Sequence, residues 1–154
     1  MGLNPTNLDQ ITNLDQALDK FVNLYNGLNK ENLATLSEIY SDDVTFIDPL
    51  HELHGLDTLA EYFSHLYENL VECEFKITER FYTEDNAAIY WQMSYAHSKI
   101  NSGRLIKVQG HSQLKFIDGK VKFHRDYFDL GAMLYENLPL IGAAIRLIKT
   151  KASS

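Results

Sequence analysis

Between residues 73 and 129 the chain alternates apolar and polar side chains in four long runs, near 73–83, 87–99, 104–117 and 120–129, and a two-residue period sustained that far describes strands with one buried face. Asp118-Gly119 separates the last two runs and suits the two positive-φ positions of a tight hairpin. Asn101-Ser102-Gly103 offers a turn before them. Upstream, Leu14, Leu18, Phe21, Val22 and Tyr25 recur at helical spacing behind Asn13 or Asp15 as candidate caps. Leu33, Leu36, Ile39 and Tyr40 predict a second helix, and Leu59, Tyr62, Phe63, Leu66 and Leu70 a third, from about residue 56 to 70. Between these two, Ser41-Asp42-Asp43 breaks the helical pattern, and Val44, Phe46 and Asp48 alternate with Thr45 and Ile47 in a short strand closed by Asp48-Pro49. Helices followed by an antiparallel meander predict an α+β domain with the helices on one side of a curved sheet. Residues 1–12 read as a polar lead-in, 13–130 as the domain, and 131–154 as a C-terminal helix and tail that bends near Pro139.

Composition narrows the class. A single domain of 154 residues buries roughly 70% of the surface its unfolded chain exposes, so its core needs no cross-links. Hydrophobic residues at 45% and charged residues at 23% describe a folded globular chain. The net charge of −7 and the lack of any Lys/Arg cluster argue against a nucleic-acid partner. Cys73 is the only cysteine, which excludes an intrachain disulfide and fits a reducing compartment. No basic start followed by an apolar run opens the chain, and no stretch reaches the roughly 18 apolar residues of a membrane span, so a cytoplasmic location is expected. LPLIGAAIRLIKTK, in the terminal helix, joins an apolar face to a cationic end, but the overall negative charge weighs against a membrane partner.

YSDDVTFIDP at 40–49, Gly55 ahead of the third helix, Gly110-x-Ser112-x-Leu114-x-Phe116, and IDGKVKFHRDYFD at 117–129, taken in that order, resemble the nuclear transport factor 2-like superfamily. The resemblance runs over roughly residues 14–130 and is to the SnoaL-like polyketide cyclase and ketosteroid isomerase branch. It implies a cone-shaped roll: three N-terminal helices packed on a strongly curved antiparallel sheet around one deep apolar pocket, here with an additional C-terminal helix. It also implies a homodimer through the outer sheet face, near Tyr90, Gln92 and Ser94, and chemistry without a cofactor. Such folds include isomerases, cyclases, epoxide hydrolases, dehydratases and non-catalytic binding proteins, so the fold alone selects none of them. Asp48 matches the general base of ketosteroid isomerases. The helix-one tyrosine that donates to the oxyanion there falls on Leu24, with Tyr25 on another face, and the protonated acid falls on Ser112. Steroid isomerisation of that type would lack its oxyanion donors and is not expected. The last strand instead resembles SnoaL-like cyclases, where a buried late-strand acid serves as acid or base, and Asp126 takes that place. Arg125, which would match the arginine of epoxide hydrolases, points away from His124 and Asp126 by alternation.

Strand phase puts His124, Asp126 and Phe128 on one face. The neighbouring strands bring Gly110 and Ser112 beside them, then Trp91, Met93, Tyr95 and His97, with Tyr62 from the third helix. Among apolar neighbours a carboxylate is held above its ordinary range, as an acid or base working near neutral pH requires. Asp126 is the candidate for that role, His124 its proton partner, Asp48 a second acid or base, and Tyr95 a donor to a substrate carbonyl. Tyr62, Trp91, Met93, His97, Ser112 and Phe128 complete the expected ligand contacts. The structural alternatives are a satisfied polar pair at 124 and 126, a strand-ending cap at 48, and plain core packing for the aromatics. His51 and His54 lack a third ligand at fixed spacing, so no metal is expected, and His65 and His111 read as surface or interface groups. Three functions remain open: a cofactor-independent isomerase, cyclase or hydratase acting on a small apolar carbonyl or cyclic compound, a non-catalytic holder of such a molecule, and a protein-interaction domain.

Overall fold

Four long half-apolar strands need a cover for their buried face, and helices supply it. The computed structural model describes residues 5–153. Helix α1 (Pro5–Asn26) begins well before Asn13 and takes in most of the stretch read as a lead-in, while residues 1–4 lie outside the described part. Proline suits the first helical position because its φ is already set and it has no N–H to leave unbonded. Leu14, Leu18, Phe21 and Tyr25 form the buried stripe of α1.

The predicted second helix is only a 3-10 turn, Leu33–Glu38. The hydroxyls of Thr35 and Ser37 donate to the carbonyls of Asn32 and Ala34, three residues back, and this local bonding competes with an α-helical ladder. Tyr40 therefore opens strand β1 (Tyr40–Ile47) rather than ending a helix. After β1 come β2 (Glu52–His54), which the sequence pattern did not predict, α2 (Leu56–Glu68), β3 (Leu70–Thr83), β4 (Asn86–His97), β5 (Ile106–Ile117) and β6 (Lys120–Phe128). Ser41-Asp42-Asp43 lies inside β1, where a register shift between Tyr40 and Thr45 accommodates it.

The sheet order is β2-β1-β6-β5-β4-β3. Strands β3 to β6 form the expected antiparallel meander. Asp118 and Gly119 turn its last hairpin with φ of 51° and 75°, as a type I′ turn requires. β1, however, runs parallel to β6, so the sheet is mixed rather than antiparallel throughout, and it is not strongly curled. Alternation reports which face is buried and carries no information about strand direction. Far apart in sequence, β1 and β6 are joined by no turn that would set one.

The core lies between the inner sheet face and the two helices, with Leu18, Phe21, Leu36, Val44, Leu59, Ile89, Leu114 and Val121 fully buried. The outer face carries Tyr90, Gln92 and Ser94. Beside them His111 stacks between Tyr90 and Tyr127, at ring separations of 5.5 and 4.8 Å. The terminal segment is broken as Pro139 suggests, into α3 (Leu130–Met133), a 3-10 turn (Tyr135–Asn137) and α4 (Ile141–Ala152). The Asp129 carboxylate caps α3 by accepting from the Ala132 N–H at 3.1 Å. Among the described residues no helix is long and apolar enough to cross a membrane.

Candidate active site

The phase of β6 turns His124, Asp126 and Phe128 inward and leaves Arg125 exposed, its guanidinium over the Tyr127 ring. β5 sets Ser112 opposite Asp126, and β4 sets Trp91 opposite Gly110. A continuous line of hydrogen bonds results. Trp91 Nε1–H donates to Ser112 Oγ at 2.9 Å, and the Ser112 hydroxyl donates to Asp126 Oδ1 at 2.5 Å. His124 Nε2 lies 2.7 Å from the same Oδ1. His124 Nδ1 lies 2.6 Å from the Tyr40 hydroxyl, which is 3.1 Å from that of Tyr25. Among the described residues no buried side-chain nitrogen or oxygen lacks a partner. His124 is 1% exposed and ringed by Phe21, Tyr25, Tyr40 and Phe46, so it sits behind the cavity wall rather than in it.

The cavity holds about 70 Å³. Asp126 and Phe128 line it from β6, Trp91 and Met93 from β4, Cys73 and Phe75 from β3, Tyr25 from α1, Tyr62 and Phe63 from α2, and Met133 from α3. Of the expected contacts, Asp48, Tyr62, Trp91, Met93, Asp126 and Phe128 reach it. Ser112 and His124 stand behind Asp126. Tyr95 and His97 do not line it: the Tyr95 hydroxyl donates to the Met133 carbonyl, and the His97 ring, near the end of β4, accepts from the Lys99 N–H. Tyr95 thus pins the turn that carries Met133 into the cavity.

Tyr25 corrects the expectation that it faces elsewhere. It continues the Leu14-Leu18-Phe21 stripe, is 5% exposed and lines the cavity, whereas Leu24 packs at the margin of the core. That helical spacing was the available signal for Tyr25. Tyr40 had none, because its assignment to a helix hid its strand phase.

Asp48 lines the cavity, yet its oxygens are largely engaged. Oδ1 accepts from the Leu50 and His51 N–H groups, both at 2.7 Å, and lies 3.1 Å from His51 Nδ1, while Oδ2 accepts from Tyr62 at 2.6 Å. It closes the turn after β1 and orients Tyr62. Asp126 differs. Oδ1 takes both of its bonds, and among the described residues Oδ2 has no hydrogen-bond donor. Among the described residues no group of three His, Cys, Asp or Glu side chains is placed to hold a metal ion.

Residues 21–124 match the SnoaL-like domain family. The chain belongs to that family. No curated protein sequence matches it. Among solved structures it is similar to a candidate SnoaL-like polyketide cyclase from Jannaschia sp. CCS1, with 16% identity over 86% of this chain and 94% of that one and a TM-score of 0.69. It is also similar to an NTF2-like protein of unknown function from Burkholderia pseudomallei K96243, with 16% identity, 79% and 94% coverage and a TM-score of 0.68. A protein with a ketosteroid isomerase-like fold from Catenulispora acidiphila DSM 44928, in complex with trimethylamine, matches at 13% identity, 79% and 90% coverage and a TM-score of 0.66. At these identities the likeness establishes the fold.

Within this SnoaL-like domain burial holds Tyr25, Tyr40, Tyr62, Tyr67 and Tyr95 in their neutral form. Burial pushes the Tyr25 and Tyr40 phenols well above the ordinary value, and neighbouring Tyr40 and Asp126 add to the effect at Tyr25. Burial, then the Asp48 carboxylate, raises Tyr62; burial, then Cys73, raises Tyr67; and burial brings Tyr95 up to about 12. The unfolded chain releases these protons near pH 10, so unfolding there is coupled to proton loss. The contribution to stability is complete below that pH and falls as pH rises through the folded values. Near-ultraviolet circular dichroism is expected to be lost cooperatively above roughly pH 10, together with a step in tyrosinate absorbance. Smooth ionisation of all nine tyrosines with the dichroism intact would contradict this burial pattern.

Proposed function

We propose that this SnoaL-like domain is a cofactor-independent acid/base enzyme, of the isomerase, cyclase or hydratase kind, acting on a small apolar carbonyl compound. The observation that carries this reading is the Asp126 carboxylate at the wall of an aromatic cavity, with one oxygen clamped by Ser112 and His124 and the other left without a donor among the described residues. Such a group can take a proton from a carbon acid and return it without reorganising its surroundings. Tyr25, a neutral phenol on the cavity that accepts from Tyr40, is the available donor to a carbonyl oxygen, whereas the Tyr62 hydroxyl proton is committed to Asp48. Asp48 acts by holding Tyr62. The similar Catenulispora structure in complex with trimethylamine supports a fold that receives small organic molecules.

A cavity of about 70 Å³ lies well below the roughly 300–1,000 Å³ of sites for drug-sized ligands. A four- or five-carbon ketone is the appropriate first probe of a cavity of that size. Deuterium exchange at the α-carbon of 2-butanone, followed by NMR in heavy water, is expected to be accelerated by the wild-type chain. The rate should fall at least about 100-fold in Asp126→Asn, in line with the usual contribution of a positioned acid or base. Equal rates in wild type, Asp126→Asn and buffer would remove the enzyme reading and leave that of a binding protein.

A further inference from the structure

We propose that Tyr25, Tyr40, His124 and Asp126 form a proton relay whose two ends open onto the same cavity, so that a proton taken up at Asp126 is matched by one given up at Tyr25. This rests on the acid/base reading of Asp126 with Tyr25 as donor, and adds Tyr40 and His124 as the relay that couples the two. Tyr25 and Asp126 both line the cavity, whereas Tyr40 and His124 are almost wholly removed from solvent behind it. Every link is within hydrogen-bond distance, at 3.1, 2.6 and 2.7 Å. Each intermediate group can both donate and accept: a phenol through its hydroxyl, an imidazole through its two nitrogens. A purely structural His–Asp pair would need no second hydroxyl beyond Tyr40, and none that reaches the cavity.

The step balances. Let His124 begin as imidazolium beside the Asp126 carboxylate, donating through Nδ1 to Tyr40, with Tyr40 donating to Tyr25 and Tyr25 to the substrate carbonyl. Asp126 Oδ2 removes the proton from the α-carbon, and the electrons of that C–H bond form the C=C bond of an enol. The carbonyl oxygen takes the Tyr25 proton, Tyr25 takes that of Tyr40, and Tyr40 takes the Nδ1 proton of His124. His124 and Asp126 both finish neutral. One proton enters the protein and one leaves, so its charge is unchanged, and no ion is stranded in a low-dielectric site. Where the substrate carries a β,γ double bond the enol is a dienol, and reversal with the Asp126 proton delivered to the γ-carbon completes an isomerisation; for a simple ketone reversal returns the substrate with its α-hydrogen exchanged.

The groups facing His124 are Tyr25 from α1, Tyr40 from β1 and Asp126 from β6, with Ser112 of β5 on the far side of Asp126. Asp48 and Tyr62 share the cavity wall with Asp126. The test is a mutant cycle read by NMR at one pH, on full-length protein labelled with carbon-13 at tyrosine Cζ and nitrogen-15 in histidine. Asp126→Asn is expected to shift both the His124 ring nitrogens and Tyr25 Cζ. In a Tyr40→Phe background the same change should still shift His124 but leave Tyr25 unmoved. An equal Tyr25 response in both backgrounds, or no Tyr25 response in the wild-type background, would overturn the relay. Butanone exchange measured on the same proteins separates the two claims. Exchange that depends on Asp126 but is untouched by Tyr40→Phe refutes the relay alone, whereas exchange independent of Asp126 refutes the acid/base reading and the relay with it. With the relay intact, Tyr40→Phe lowers the Asp126-dependent exchange by about tenfold or more.

Discussion

Replacing His124 with alanine is expected to destabilise the fold by about 3 kcal/mol, because it removes one of the two hydrogen-bond partners of the Tyr40 hydroxyl and of Asp126 Oδ1 and opens a ring-sized gap. His124 lies at the centre of the inner face, pressed by Phe21, Tyr25, Tyr40 and Phe46, with ring separations from 4.9 to 5.9 Å. Water is poorly placed to replace it at 1% exposure. The comparison variant is Arg125→Ala, one residue along the same strand but solvent-facing, which should cost under about 0.5 kcal/mol. Urea unfolding of the two proteins measures the difference directly. Comparable midpoints would mean that the buried line from Tyr25 to Trp91 contributes nothing to holding the sheet against α1.

Gly110→Ala is expected to cost about 2–3 kcal/mol and to disturb the site as well. A Cβ at residue 110 would lie 2.4 Å from Cη2 and Cζ2 of Trp91 and 2.8 Å from the Tyr127 carbonyl. The Trp91 ring cannot swing aside cheaply. Its Nε1–H holds Ser112, and the ring packs between Phe75 at 5.0 Å and Phe128 at 5.9 Å. Displacing it frees Ser112 to rotate and loosens the clamp on Asp126, so lost stability should accompany lost exchange. Trp91 is the only tryptophan, and its emission reads the event: a red shift in the folded variant is expected, and unchanged emission with unchanged stability would show that the ring is not seated on Gly110.

Much of this was legible in the residues. The period of the four long runs, the helical stripes at Leu14-Leu18-Phe21 and Leu59-Phe63, the Asp118-Gly119 turn and the inward phase of His124 and Asp126 all follow from local repetition and turn chemistry, which one segment of chain carries by itself. The 3-10 turn at 33–38 arose where Thr35 and Ser37 hydroxyls bond to nearby carbonyls, an energetic contest that apolar spacing does not record. Tyr40 was hidden by that assignment. Tyr25 shares the helical spacing of Leu14, Leu18 and Phe21 and points inward with them, whereas the family resemblance places the donor position on Leu24. Tyr95 and His97 have the strand phase expected of pocket residues, but the packing of the C-terminal turn draws the Tyr95 hydroxyl to a backbone carbonyl and leaves His97 beyond the cavity.

By itself the amino-acid sequence determined the α+β class, the four-strand meander, the inward face of β6 and therefore the candidacy of Asp126, since each depends on side-chain period and turn chemistry along a continuous segment. Only the tertiary structure decided that β1 lies parallel to β6, that Asp48 is occupied by a turn and by Tyr62, and that Met133 lines the cavity. It alone joined Tyr25, Tyr40, His124 and Asp126 into one line. Those outcomes depend on distances between residues up to about a hundred positions apart, set by how the helices pack on the sheet, and no local pattern encodes them.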